Sequence, residues 1–126
     1  MAREILTSDK VFAGGKAPGS KAVKIGNLIF VCGMPPFDIN RQVAKGDFQA
    51  QMRQCMDNIK AVLEAGGSSM DKVAKVTIFF AKESDVPAMN EIYRPYFKEG
   101  NYPARTAIEA KLQGDFLVEI ECVAEA

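Results

Sequence analysis

Asp47-Phe-Gln-Ala-Gln-Met-Arg-Gln-Cys-Met-Asp-Asn-Ile-Lys-Ala-Val-Leu-Glu64, followed after a short break by Val73-Ala-Lys-Val-Thr-Ile-Phe-Phe-Ala81, decides the fold class. In the first run the apolar residues Phe48, Met52, Cys55, Ile59 and Val62 recur at helical spacing, so it reads as an amphipathic helix. Asp47 is placed to cap its start and Gly66-Gly67 to stop it. The second run is β-branched and aromatic, the composition of a buried strand. A helix feeding a strand is the middle of an α+β domain, and the flanks complete it.

Upstream, Ala22-Val-Lys-Ile25 and Leu28-Ile-Phe-Val-Cys32 are strand-like and are separated by Gly26-Asn27, a two-residue hairpin signal. Pro35-Pro36 stops the second of them. A short first strand is expected at Glu4–Thr7, then a loop rich in Gly and small residues over 9–20. Downstream, a second helix is expected from Asp85 to Lys98, with Pro95 awkward in its last turn. Two strands finish the chain, at Ala104–Leu112 and from Phe116 to about Val123. The order is β-ββ-α-β-α-ββ. Two helices cannot cover both faces of a six-stranded sheet, so one face is left for another copy of the chain.

The 126 residues, with 16 Lys+Arg against 16 Asp+Glu, predict one domain over 1–126 with no global attraction to nucleic acid or anionic membrane. There is no His, which excludes Ser-His, Cys-His and His-metal chemistry within one chain. Cys32, Cys55 and Cys122 are scattered, without a C-x-x-C pair. They read as reduced, mostly buried thiols of a cytoplasmic protein, not as zinc ligands. The first residues have no apolar signal-peptide core, and no apolar run is long enough for a membrane span.

Without His, acid–base work falls to Asp, Glu, Lys, Arg, Tyr and Cys. Arg105 opens a strand just after Pro103-Ala104 and could fork onto the carboxylate of a small organic acid. Glu119 and Glu121 sit inside the otherwise apolar run Leu117–Val123, where a carboxylate is costly unless paired or useful. The plain alternative is an ion pair between Arg105 and Glu109, Glu119 or Glu121. Cys32 follows an apolar run and reads as inert before it reads as a nucleophile. Gly14-Gly15-Lys16 is a weak hint of a phosphate cradle, and Lys21, Lys24 and Lys45 are too dispersed for a nucleic-acid patch.

Several stretches, in order, resemble the reactive intermediate deaminase (RidA) family: Ala17-Pro-Gly-Ser-Lys-Ala-Val23, Phe30-Val-Cys-Gly-Met-Pro35, Asn58-Ile-Lys-Ala-Val-Leu-Glu-Ala-Gly-Gly67, Met89-Asn-Glu-Ile-Tyr93, Pro103-Ala-Arg-Thr106 and Val118-Glu-Ile-Glu121. The resemblance implies a homotrimer of chorismate-mutase-like α+β subunits, a mixed six-stranded sheet with two helices on one face, and sites in clefts between neighbours. It implies a cofactor-independent, metal-free deaminase that hydrolyses 2-imino and 2-enamino acids to 2-keto acids and ammonia. Arg105 would grip the substrate carboxylate, Glu119 would hold the attacking water, Ala107 would lend backbone, and Gly33 would line the pocket. The family's G-P-Y-S-Q-A segment is here Ala17-Pro-Gly19-Ser-Lys-Ala22. Gly19 therefore stands where a tyrosine is usual, which widens and dries the pocket and suits a larger or less polar acid. A non-catalytic protein binding keto acids or amino acids in the same cleft is the rival reading.

One register question bears on the mechanism. If the last two strands form a hairpin, a three-residue loop at Gln113-Gly114-Asp115 puts Arg105 and Glu119 on one face of the sheet. A two-residue loop puts them on opposite faces. The three-residue loop is expected, and opposite faces would remove Glu119 from the mechanism.

Overall fold

The computed structural model describes residues 2–126. Its six strands are β1 (Arg3–Leu6), β2 (Ala22–Ile25), β3 (Leu28–Met34), β4 (Val73–Phe80), β5 (Ala104–Glu109) and β6 (Val118–Glu125). They form a single mixed sheet in the order β1-β2-β3-β6-β4-β5. Only the β4–β5 pair is parallel. Helices α1 (Phe48–Ala65) and α2 (Val86–Tyr93) pack on one face.

Local chemistry sets most of the boundaries. Asp47 caps α1 by accepting from the Ala50 N–H at 3.0 Å. The chain leaves the helix through Gly66 and then Gly67 at φ 83°. The anticipated stripe is buried, and Gln51, Met56, Asn58 and Leu63 widen it. The β2–β3 hairpin turns at Gly26-Asn27, with Gly26 at φ 59° and Ile25 opposite Leu28. β3 runs two residues past Cys32, because a bulge between Val31 and Met34 lets it continue to the proline pair. α2 ends at Tyr93, five residues earlier than expected. Pro95 cannot donate to the helix, and Arg94–Tyr96 tighten into a 3-10 turn.

The terminal strands correct the hairpin expectation. β5 and β6 are not neighbours, because β4 lies between them. The link through α2 carries the chain to a parallel β5 on the outer edge. Residues 110–117 then take it past β4, to an antiparallel β6 between β3 and β4. Burial accounts for this choice. Val118, Ile120, Cys122 and Ala124 are all sealed under the helices at 4% exposure or less, which only a central strand allows. β5 is exposed along its whole length, as an edge strand can be.

The face away from the helices stays open. Phe30 and Ile108 are each 45% exposed on it, beside Ile5, Ile25 and Leu28, in keeping with an uncovered sheet face.

Candidate functional site

Cross-strand partners share a face of the sheet, so the register places each candidate. Arg105 lies opposite Val76, which lies opposite Cys122, on the helix side. Glu119 lies opposite Phe79, which lies opposite Ile108, on the open side. Arg105 and Glu119 therefore point to opposite faces. The expectation that they share one was wrong, because it assumed a β5–β6 hairpin. Glu119 is thereby removed from any site that Arg105 builds within one chain. The expectation that opposite faces remove it altogether overlooked that a cleft between copies can set opposite faces of two chains against each other.

Arg105 heads the first group. Its guanidinium carbon sits 5.0 Å from the centroid of the Tyr93 ring. Around them is a recess of about 310 Å³ lined by Asn90, Tyr93, Arg94, Tyr102, Pro103 and Arg105. Two of these side chains are cationic and none is anionic. Among the described residues the only ion pair is Lys98–Asp71 at 3.3 Å, so Arg105 is not bound to Glu109, Glu119 or Glu121. The Asn90 Oδ1 and Tyr93 hydroxyl atoms are buried without a hydrogen-bond partner. Burial pushes the Tyr93 phenol up to about 12, with Arg105 opposing the rise, so the phenol stays neutral. Ala107 lies two residues along from Arg105 on the same side of β5, and an edge strand leaves one side of its backbone unpaired.

Glu119 heads the second group, on the open face. The β3 bulge brings Gly33 against it: a Cβ on Gly33 would lie 2.7 Å from Glu119 Oε2. Polar side chains of α1 hold that stretch of chain. The Asn58 amide donates to the Phe37 carbonyl at 2.9 Å, and the Cys55 thiol to the Met34 carbonyl at 3.3 Å. Burial, reinforced by nearby Glu121, raises the pKa of Glu119 above the ordinary carboxyl value. Cys32, beside Gly33, has its thiol pushed up chiefly by burial, against the pull of Lys21, which fits an unreactive thiol. Gly19 borders a separate shallow depression with Pro18, Ser20, Phe30 and Cys32, which neither Gly33 nor Glu119 lines. Nothing lies within 4 Å of where its Cβ would stand.

Gly14-Gly15-Lys16 has a structural role. A Cβ on Gly15 would lie 2.8 Å from Arg41 Nη2, and Arg41 Nη1 donates to the Ala13 carbonyl at 2.7 Å. The glycine admits an arginine that pins the loop. Sequence reasoning placed Arg105 but assigned no role to Asn90 or Tyr93. Two signals were available: both lie in the stretch Met89–Tyr93 that carries the resemblance, and their i, i+3 spacing puts both on one face of α2.

A family model described as Endoribonuclease L-PSP matches residues 14–126. A RutC family protein of Pyrococcus abyssi is 40% identical over 126 residues, covering 98% of each chain. A 2-iminobutanoate/2-iminopropanoate deaminase of Escherichia coli K12 is 35% identical over 127 residues, again covering 98% of each. The crystal structure of a protein of unknown function of the conserved Rid family, from Yersinia pestis, is similar at a TM-score of 0.94 and 31% identity, over 99% of this chain and all of that one. By the reach of the family model and the end-to-end match to these relatives, the chain belongs to the Endoribonuclease L-PSP family, among its RutC and Rid members.

Proposed function

We propose that the protein is a cytoplasmic, cofactor-independent deaminase that hydrolyses 2-imino and 2-enamino acids to 2-keto acids and ammonia, in clefts between the copies of a homotrimer. The observation that carries this reading is the Arg105 recess: a guanidinium without a carboxylate partner, a second arginine, and an unpartnered amide oxygen on Asn90. A small acid with a nitrogen substituent fits that set. Its carboxylate would take the fork of Arg105, and the Asn90 amide, by turning its buried Oδ1 into the recess, would accept an N–H from its nitrogen. The deaminase name of the Escherichia coli relative supports the same chemistry.

Glu119 can enter the mechanism only from another copy, because it lies on the opposite face of its own chain. The partly apolar open face that carries it suits contact with a neighbour. In the proposed cleft, the carboxylate of Glu119 orients water toward C2 of the imine and takes its proton. The C–O bond forms as the C=N electron pair moves to nitrogen, which takes the proton from Glu119. A second transfer, from the carbinolamine hydroxyl to the amine through the same carboxylate, lets the C–N bond break as C=O forms, releasing the 2-keto acid and ammonia. The family description names an endoribonuclease, but a neutral chain without His offers little to a polyanion and no imidazole for proton transfer.

Subunit mixing tests the arrangement. Arg105→Ala and Glu119→Gln should each abolish acceleration of imine hydrolysis, with the imine made in situ by an amino-acid oxidase. Arg105→Lys should rescue only partly, since an ammonium cannot fork. Co-refolding the two inactive variants in equal amounts should restore activity in about a quarter of the sites. No recovery in mixed trimers would rule out a shared cleft, and near-normal turnover by Arg105→Ala would make that arginine structural.

A further inference from the structure

We propose that Tyr93 is a positioning residue, an aromatic platform that holds the Arg105 guanidinium for the substrate carboxylate. The proposal rests on the deaminase reading and adds to it a residue of α2 that need not touch the substrate. An arginine on an exposed edge strand, with no carboxylate to bind, would sample many rotamers. Here the guanidinium carbon lies 5.0 Å from the Tyr93 ring centroid, within the range of a cation–π contact. The ring is itself fixed. Tyr93 is only 5% exposed, and its ring packs on Phe97 with centroids 4.8 Å apart, while Phe97 in turn meets Tyr102, which lines the recess, at 6.4 Å. The aromatic face is thus a rigid seat under a mobile cation. Nothing else orders Arg105: among the described residues it takes part in neither an ion pair nor a side-chain hydrogen bond. The hydroxyl is not what matters, because it is buried without a partner. The ring and the hydroxyl can therefore be separated by substitution.

The test compares Tyr93→Leu with Tyr93→Phe. Loss of the ring should lower imine turnover about fivefold, and the phenylalanine variant, which keeps the ring, should restore most of that loss. The Arg105 Nε–H resonance supplies a signal that a merely structural role would not move. It should be shifted upfield by the ring current in the wild type and in Tyr93→Phe, and should return to the free-arginine position in Tyr93→Leu. A wild-type resonance already at the free position overturns the proposal, and that measurement stands even if Tyr93→Leu fails to fold. A phenylalanine variant as impaired as the leucine variant overturns it too. If the wild type does not accelerate imine hydrolysis, the deaminase reading falls, and the resonance still decides whether Tyr93 orders Arg105.

Discussion

Glu119 is half-buried against Gly33, and burial with the nearby Glu121 raises its pKa. Folding therefore favours its protonated form. The stability this group contributes is present at low pH and is lost as pH rises through the raised pKa. Glu119→Gln, which cannot ionise, should melt at a higher temperature than the wild type near neutral pH. The gap should close below the ordinary carboxyl range, at about pH 4. Catalysis should move the other way. A carboxylate that takes a proton from water must be ionised, so wild-type turnover should fall as pH drops through the raised pKa. Melts and a pH–rate profile check both signs. A constant stability gap between pH 4 and 7 would mean that Glu119 is not desolvated as its surroundings imply. The residue scale also shows what a lone sequence can carry. Arg105 was legible from the turn that introduces it and from its motif. Its seat on Tyr93 was not, since the two residues meet only after α2 folds back over the sheet.

At the scale of elements, α1 and the β2–β3 hairpin were legible because their signals are local: a stripe from Phe48 to Val62, a capping Asp47, and a Gly26-Asn27 turn. The order of the last strands was not. Sequential strands neighbour one another in roughly two cases of three, and that preference favoured a β5–β6 hairpin. The burial of Val118, Ile120, Cys122 and Ala124 outweighed it. The apolar positions Val118, Ile120, Cys122 and Ala124 at every second residue of β6 and the mixed polarity of Ala104–Glu109 were the available hints that one strand is central and the other an edge. The loop over residues 9–20 belongs to this scale as well. Arg41 pins it from the Phe12–Phe37–Phe116 edge-to-face ladder, and Gly19 has open space around its Cβ position. Gly19→Tyr should therefore fold normally, speed turnover of the smallest imines and slow bulky ones. A series of imines of increasing side-chain size checks this. Unchanged relative rates across the series would show that the loop does not line the site.

For the whole molecule, the sheet has one face sealed by two helices and one that leaves Phe30 and Ile108 nearly half exposed. The proposed trimer buries that open face, and light scattering at micromolar concentration should return the mass of three copies. A monomer there would remove any cleft between chains and both halves of the proposed site with it. The placement of Arg105 and Glu119 on opposite faces also has a genetic consequence. In the proposed ring each copy would lend its arginine to one neighbour and its carboxylate to the other. A chain altered at one of these positions spoils a single site, whereas a chain altered at both spoils the site on either side of it. In a cell making equal amounts of wild-type and altered chains, a single change leaves about half of the sites intact and the double change about a quarter. The doubly altered allele is then partially dominant although its own chain folds, and a heterozygous or plasmid-borne copy would depress activity below what gene dosage alone predicts.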